Sequence, residues 1–215
     1  MIRINKLDKP AVLLENAERW TTALIEHDAF GTEPTISDLN KYNHEQVKNK
    51  LLEETNEKCA YCESKFRHVY YGDIEHVTPK KLAHSLRFLW ENLTMSCSVC
   101  NTNKGTTEDL VDPNFDNPEE HFFVEGPTVL PNPLSVKGRL TELTIEMNRL
   151  HLIERRTVRL KALQNILTLA IQETDPDLKA VLFNELLIKE TRDNVEFAAM
   201  SRAFVKNSKD RGLIP

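Results

Sequence analysis

Apolar side chains recur at helical spacing near the start of the chain. Four of them fall on one helical face within residues 10–27: Leu13, Ala17, Trp20 and Leu24. Pro10 suits the first turn of such a helix, because the N–H that proline lacks would be unpaired there in any case. Residues 43–56 predict a second helix, which Asn43 and Gln46 would cap together. We assign no chemistry to either helix.

The same periodicity returns from residue 141 onwards. Five apolar positions share one face of a predicted helix: Leu150, Ile153, Leu160, Leu163 and Leu167. Asn148 is expected to cap the start of this helix. Asp175 and Pro176 give a further start signal, a capping residue followed by a first-turn proline. Asp193 is expected to open another helix of this C-terminal region.

The middle of the chain has a different character. Cysteine, aromatic and glycine residues replace the helical periodicity over residues 58–105. Five of the ten prolines lie within residues 110–138, which predicts an irregular connector. The expected fold is α+β and mostly helical, with a small module flanked by helices. The predicted parts are an N-terminal helical segment (1–57), the module (58–110), a proline-rich connector (111–140) and a C-terminal helical region (141–215).

Charge and composition narrow the class of protein only a little. The chain has a formal net charge of −5, which argues mildly against a general nucleic-acid binder. Residues 58–105 hold seven basic and four acidic side chains, however, so this stretch carries +3 on an otherwise acidic body. We expect no secretory signal in the N-terminal residues and no apolar run long enough to cross a membrane. The expected compartment is therefore the cytoplasm.

Two Cys-x-x-Cys pairs give the sharpest signal in the sequence. They are formed by Cys59 with Cys62 and by Cys97 with Cys100. In a reducing compartment such pairs indicate metal ligands before disulfides. Four thiolates complete a tetrahedral site, which suits zinc, and a site closed in this way is structural and does no chemistry itself. The 34 residues between the pairs exceed the usual ribbon spacing, so we expect a further unit of structure between them.

Four short segments within 58–105 resemble an HNH endonuclease of the ββα-metal class with a four-cysteine zinc frame. They are KCAYCESKF, DIEHVTPK, WENL and CSVCNTNKG. More loosely, YNHEQVKNKLLEETNEKCAYCE and IEHVTPK are similar to the PtuB-like HNH subunit of Septu-type and retron-associated phage-defence systems. The resemblance implies a nuclease that hydrolyses DNA phosphodiester bonds. It also implies an SMC/ABC-type, PtuA-like ATPase as the partner subunit.

The resemblance also implies roles for the residues between the cysteine pairs. His76 is then the general base, and Glu75 beside it occupies the acidic metal-ligand position. Asp73 is the alternative ligand, because it lies on the same face of a strand as Glu75. Asn101 follows Cys100 at a position where many family members have histidine. Carboxylate and amide oxygens favour Mg²⁺ or Mn²⁺ over a second zinc ion.

A further asparagine and four cations complete the candidate set. In the family, the residue matching Asn92 orients the catalytic loop through backbone contacts. Four basic side chains are candidates for contacts with the nucleic-acid backbone: Lys80, Lys81, Arg87 and Lys104. The alternative for the first three is that they face solvent on a helix.

Two other functions fit the same residues. The site would also serve an RNA nuclease, for example one that cuts tRNA, because hydrolysis does not require a 2′-hydroxyl. A non-catalytic zinc-ribbon adaptor would use the cysteine frame alone. A degenerate domain of that kind would have lost the histidine or its neighbouring ligands, but Glu75, His76, Asn92 and Asn101 are all present.

Overall fold

Three helices form the first part of the protein, and the computed structural model describes residues 1–214. They are α1 (Ala11–Phe30), α2 (Ile36–Leu39) and α3 (Glu45–Glu54). Pro10 precedes α1 as its N-cap residue, so its predicted place in the first turn was wrong. The predicted Asn43 cap was also wrong. Instead α3 starts after His44, whose Nδ1 accepts a hydrogen bond from the backbone N–H of Gln46.

The predicted module contains a ββα unit, which confirms the expected fold class. It consists of β1 (Asp73–His76), β2 (Leu93–Ser96) and α4 (Ser98–Lys104). The two strands are antiparallel, with Glu75 opposite Thr94 and His76 opposite Leu93. Between them the chain forms a loop with two short 3-10 turns. Because α4 follows β2 after a single residue, the helix is held directly against the hairpin.

The proline-rich stretch is more regular than predicted. It contains α5 (Pro118–His121) and the antiparallel hairpin of β3 (Phe122–Glu125) and β4 (Thr128–Pro131). The prediction of an irregular connector was therefore wrong for these residues. Pro118 is the first residue of α5 and Pro131 the last of β4. At the end of a helix or strand, the N–H that proline lacks costs little stability. The prolines here therefore mark the boundaries of elements and do not indicate irregular structure. The division of the chain into four parts stays a prediction.

Four further helices follow this hairpin in the part of the chain that the structure describes, and the first of them begins inside the predicted connector. They are α6 (Val136–Ile145), α7 (Leu150–Gln172), α8 (Pro176–Asn184) and α9 (Ala198–Asp210), with a π-helical turn at Glu185–Lys189 after α8. The predicted start of α8 is confirmed, because the Asp175 carboxylate accepts the N–H groups of Asp177 and Leu178. Of the residues described, no helix is both long enough and apolar enough to span a lipid bilayer.

Two predicted helix starts in this region were wrong. Asn148 does not cap α7, because its side chain bonds both the N–H and the carbonyl of Val129 and so fastens β4. Asp193 does not open α9, which begins five residues later, and its carboxylate pairs with Arg202. In both cases a residue of a type that often caps helices makes a tertiary contact instead.

The buried core connects the hairpin to the helices around it. Trp90, Leu93 and Met95 are almost completely buried, as is Leu51 of α3. The indole N–H of Trp90 donates to the Leu7 carbonyl, which ties the N-terminal segment to the loop before β2. These contacts fix the position of the hairpin, on which the candidate site is built.

Candidate nuclease site and metal centre

Four sulfur atoms meet at one end of the ββα unit. The Sγ atoms of Cys59, Cys62, Cys97 and Cys100, called the sulfur cluster below, all lie within 4.8 Å of one another. None of the four forms a disulfide, and the Cys62 and Cys97 sulfurs are 3.9 Å apart. A zinc ion with four bonds of about 2.3 Å would separate its sulfur ligands by about 3.8 Å. The sulfur cluster therefore fits a tetrahedral zinc ion.

Local backbone structure brings the two cysteine pairs together. The first pair lies on a turn in which the N–H of Glu63 donates to the Cys59 carbonyl, and Glu63 adopts a positive φ of 62°. The Ala60 N–H bonds the carbonyl of Met95, so this turn is attached to β2. The second pair follows directly, since Cys97 is the N-cap of α4. The hairpin thus positions one pair and the helix the other.

A surface cleft opens beside the same unit and brings together most of the predicted site. This β1 cleft is lined by residues of β1, the loop before it, α4 and the segment around α3: Tyr42, Asn43, Lys48, Tyr70, Tyr71, Asp73, Glu75, His76, Lys80, Lys81 and Asn101. Asp73, Glu75, His76 and Asn101 were all singled out from the sequence. Lys80 and Lys81 border the same opening.

His76 is the last residue of β1 and is buried against Tyr42, with the two ring centres 4.6 Å apart. Its Nε2 lies 2.9 Å from the carbonyl oxygen of Arg87. Because a carbonyl can only accept, Nε2 carries the proton, and Nδ1 is the ring nitrogen left with a lone pair. Burial, together with the nearby cations, lowers the pKa of His76 to about 3. The imidazole is therefore neutral at pH 7.

Asp73 and Asn101 form a second part of the cleft. The amide Nδ2 of Asn101 donates to one oxygen of Asp73 at 3.0 Å, and the Tyr70 hydroxyl donates to the other at 2.6 Å. Asn101 is held by α4, where its backbone N–H bonds the Cys97 carbonyl. The helix that supplies two sulfurs of the sulfur cluster thus also positions a polar group in the β1 cleft.

Glu75 lies deeper and is paired with a cation. Its Oε1 is 2.8 Å from Nζ of Lys104, which also donates to the His76 carbonyl at 2.9 Å. Both side chains are buried. Burial raises the pKa of Glu75, and the neighbouring Lys104 opposes that shift. The predicted contact of Lys104 with a phosphate does not fit this buried placement.

The profile of the HNH endonuclease family matches residues 59–107, which include the sulfur cluster and the cleft residues of β1 and α4. This segment is an HNH endonuclease domain. Septu protein PtuB of Bacillus thuringiensis is 32% identical over 133 residues, covering 59% of this chain and 51% of that protein. Septu protein PtuB of Bacillus mycoides (strain KBAB4) is 32% identical over 126 residues, covering 47% and 40%. The chain thus spans about half the length, or less, of these curated relatives.

Asn92 fastens the loop between the strands of the HNH domain. Its Oδ1 accepts the N–H of Thr78 at 2.7 Å. Its Nδ2 donates to the carbonyls of Thr78 and Leu86 at 2.9 and 3.0 Å. The side chain is buried, so these three bonds are shielded from water. This geometry matches the loop-orienting role expected for Asn92, which stays a prediction.

The remaining basic residues of the HNH domain divide into two groups. Arg87 is buried and donates to the carbonyl of Leu39 at 2.9 Å, so the predicted phosphate contact does not fit it. Lys80 contacts the hydroxyl of Tyr42 and lies over its ring, with Nζ 4.4 Å from the ring centre. Lys81 is exposed at the cleft. Only Lys80 and Lys81 of the four predicted cations therefore line the cleft.

The sequence interpretation missed one residue at the sulfur cluster. Nη2 of Arg149, at the start of α7, donates to Sγ of Cys100 at 3.6 Å. Burial opposes the charge on Arg149, but the adjacent thiolates outweigh it and raise the pKa of the guanidinium. A four-thiolate zinc site carries a net charge of −2, which this cation would partly offset. Because Arg149 lies 49 positions after Cys100, no local pattern points to the contact.

Proposed function

We propose that the protein is a divalent-metal-dependent endonuclease that hydrolyses DNA phosphodiester bonds. The observation that carries this proposal is the β1 cleft itself. A neutral histidine, two carboxylates and an amide share one opening, and they are built on the hairpin and helix of an HNH domain. These are the groups that hydrolysis needs: a base, a binding site for a divalent ion, and polar groups that orient the substrate.

His76 is the general base in this proposal. Its Nδ1 takes a proton from a water molecule as the water oxygen bonds to phosphorus and the bond to the 3′ oxygen breaks. The 3′ oxygen leaves with the bonding electron pair and takes up a proton from solvent. The hydrogen bond from Nε2 to the Arg87 carbonyl holds the ring in the tautomer that this step requires. The carbonyl also stabilises the imidazolium that forms, since Nε2 remains its donor. Packing against Tyr42 restricts rotation of the ring.

Asp73, Glu75 and the side-chain oxygen of Asn101 would hold the divalent ion. Oxygen donors of this kind suit Mg²⁺ or Mn²⁺, in contrast to the thiolates of the sulfur cluster. When bound, such an ion neutralises negative charge that develops on the phosphate. Zinc in the sulfur cluster would have a structural role, because four protein ligands leave no open coordination position. It would fix α4 and so keep Asn101 beside Asp73.

The defence role and the partner rest on the similarity to Septu protein PtuB. We propose that this chain is the nuclease subunit of a cytoplasmic anti-phage complex with a PtuA-like SMC/ABC-type ATPase. The chain offers few exposed cations at the cleft and is acidic overall, so a partner that delivers DNA would compensate for weak substrate binding. Coexpression with a PtuA-like ATPase should give a complex. Full activity of the isolated chain would contradict this dependence.

Substitution of His76 tests the proposed chemistry. His76→Ala should lower Mg²⁺- or Mn²⁺-dependent DNA cleavage by at least about a hundredfold, because the general base is lost. Zinc content and the unfolding transition should be retained. His68→Ala is the matched control, since His68 is exposed and does not line the cleft. Undiminished cleavage by His76→Ala would show that His76 is not the base. Digestion of RNA in parallel decides between DNA and RNA as the substrate.

A second pair of variants tests which of the two carboxylates, Asp73 or Glu75, binds the divalent ion. Asp73→Asn and Glu75→Gln each remove one negative charge with little change in volume. The variant that has lost a ligand should need a higher Mg²⁺ concentration for half-maximal cleavage. If neither variant shifts the Mg²⁺ requirement, the ion is not held by these residues.

A further inference from the structure

An exposed aromatic loop borders the β1 cleft and has no part in the proposed chemistry. Val69 and Tyr71 are 77% and 75% exposed, and both lie in the loop before β1. The hydroxyl of Tyr70 beside them already has a partner, because it donates to Asp73. The Tyr71 hydroxyl makes no hydrogen bond to any of the residues 1–214. A large aromatic side chain is therefore presented to solvent at the edge of a candidate active site.

The loop that carries Tyr71 is fixed on the hairpin core. Gly72 has a φ of +78°, and a Cβ added there would lie 2.5 Å from the ring of Phe66 and 2.8 Å from Sδ of Met95. Phe66 and Met95 are buried, and the Phe66 carbonyl accepts the N–H groups of Val69 and Tyr70. Only glycine fits at position 72, so Tyr71 leaves the core in a defined direction. A backbone held in this way needs little further ordering when the ring of Tyr71 meets a ligand.

Cations lie near this ring and along the cleft. Nζ of Lys48 is 5.9 Å from the centre of the Tyr71 ring, and Lys80 and Lys81 line the same opening. An aromatic face bordered by ammonium groups suits a nucleotide whose base is free of its pairing partner, because the base stacks while phosphates meet the cations. In a regular duplex both faces of each base are covered by neighbouring bases.

We propose that Tyr71 stacks on a base in an unpaired segment of the nucleic acid, and that Lys48, Lys80 and Lys81 contact the adjoining phosphates. The inference rests on the proposed function, since it names the form of substrate that the β1 cleft takes. Single-stranded nucleic acid, or a duplex with unpaired nucleotides at the cutting site, is then preferred over a regular duplex. Tyr71 is a specificity residue in this proposal and takes no part in the hydrolysis step.

Binding without cleavage is the direct test. Zinc-loaded protein in a buffer free of Mg²⁺ and Mn²⁺ is titrated into a fluorescein-labelled DNA of about 12 nucleotides, single-stranded or annealed to its complement, and anisotropy is read. Tyr71→Ala should weaken single-strand binding by roughly fivefold to a hundredfold and leave duplex binding unchanged. Tyr71→Phe should bind like wild type, because the ring suffices. Phe30→Ala is the matched control, since Phe30 is 79% exposed and does not line the cleft.

Two further readouts distinguish stacking from charge. A 2-aminopurine base in the single strand should lose fluorescence on binding to wild type and Tyr71→Phe, but not to Tyr71→Ala. Tyr71→Ala should also leave the slope of log affinity against log salt unchanged. Lys81→Ala should reduce the magnitude of that slope by about 0.7 for the single strand, because the variant neutralises one phosphate fewer than wild type does.

The outcomes also distinguish this inference from the proposed hydrolysis. Equal single-strand binding by wild type and Tyr71→Ala, with no 2-aminopurine quenching by either, would overturn the inference and leave nuclease activity untouched. Equal losses in Tyr71→Phe and Tyr71→Ala would also overturn it, because the hydroxyl would then be the group that binds. Ring-dependent quenching in a protein that cleaves no DNA would support the inference while the hydrolysis proposal failed.

Discussion

The ββα unit holds two sets of donor groups of opposite character. In one, Cys97 and Cys100 join the first cysteine pair in an enclosed set of four sulfurs. In the other, the Asn101 amide of the same helix donates to Asp73 in an open cleft that also contains His76. Soft donors in a closed set hold a structural ion, whereas hard donors beside an opening leave room for substrate and water. One short helix thus connects a structural site to a site suited to chemistry.

Loss of one thiolate should have the largest effect and should damage both the sulfur cluster and the β1 cleft. Cys100→Ser leaves three sulfurs, so we expect zinc loss and destabilisation of the HNH domain by several kcal/mol, since a structural zinc contributes about 10 kcal/mol or more. Zinc analysis and urea unfolding measure the two effects. Ser98→Ala is the control, because Ser98 is exposed on the same helix. Unchanged stability in a zinc-free Cys100→Ser protein would mean that the metal does not support the fold.

The β1 cleft should be disrupted without loss of the sulfur cluster when Lys104 is replaced. Lys104→Met leaves Glu75 buried without its cation, which should lower the free energy of unfolding by about 3–5 kcal/mol. Zinc should remain bound, because the four sulfurs are untouched. Lys80→Met should have a much smaller effect, since Lys80 is only half-buried.

A double variant decides whether the ion pair causes this destabilisation. Lys104→Met with Glu75→Gln removes both charges, so most of the stability should return. Equal destabilisation in the single and double variants would assign the effect to packing of the lysine stem instead.

Asn92 should contribute somewhat less to the free energy of unfolding than the buried ion pair does. Asn92→Ala removes three shielded hydrogen bonds to Thr78 and Leu86, so we expect a loss of about 3 kcal/mol in urea unfolding. Cleavage should fall as well, because the loop after β1 is no longer fixed. Asn49→Ala, at an exposed position of α3, should change neither quantity. A stable Asn92→Ala protein would show that other contacts hold this loop.

The sulfur cluster could be predicted from the sequence more completely than the β1 cleft. The two cysteines of each pair are separated by only two residues, so their spacing alone brings the two sulfurs together. Asp175 and Pro176 likewise define a helix start through contacts within one turn. In such cases the residues that interact are neighbours in the chain, and the local pattern contains the whole interaction.

The contacts that the sequence did not predict join distant residues. Lys104 appeared free to meet a phosphate, but its partner Glu75 lies on another element. Asn148 resembled a helix cap and instead bonds β4, and Arg149 reaches a sulfur 49 residues away. A polar side chain can satisfy its hydrogen bonds locally or across the fold, and the sequence pattern does not distinguish the two. The packed structure is needed to decide between them.

The pH dependence of stability tests the environment of His76 and should give the smallest of these effects. Burial lowers its pKa from 6.5 to about 3, so the folded protein binds this proton more weakly than the unfolded chain does. The neutral ring therefore contributes its full stabilisation above pH 6.5, and this contribution is lost as the pH falls from 6.5 towards 3. Between pH 7 and pH 5 the expected loss is about 2 kcal/mol.

Urea unfolding of zinc-loaded wild type and His76→Ala at both pH values isolates this effect, because all other titrating groups are common to the two proteins. Wild type should lose about 2 kcal/mol more than His76→Ala on going from pH 7 to pH 5. His68→Ala should follow wild type, since His68 is exposed. Parallel losses in wild type and His76→Ala would mean that the imidazole is hydrated and charges freely in the folded protein. His76 would then not be a sheltered base, and the β1 cleft would lack the group that distinguishes it from the sulfur cluster.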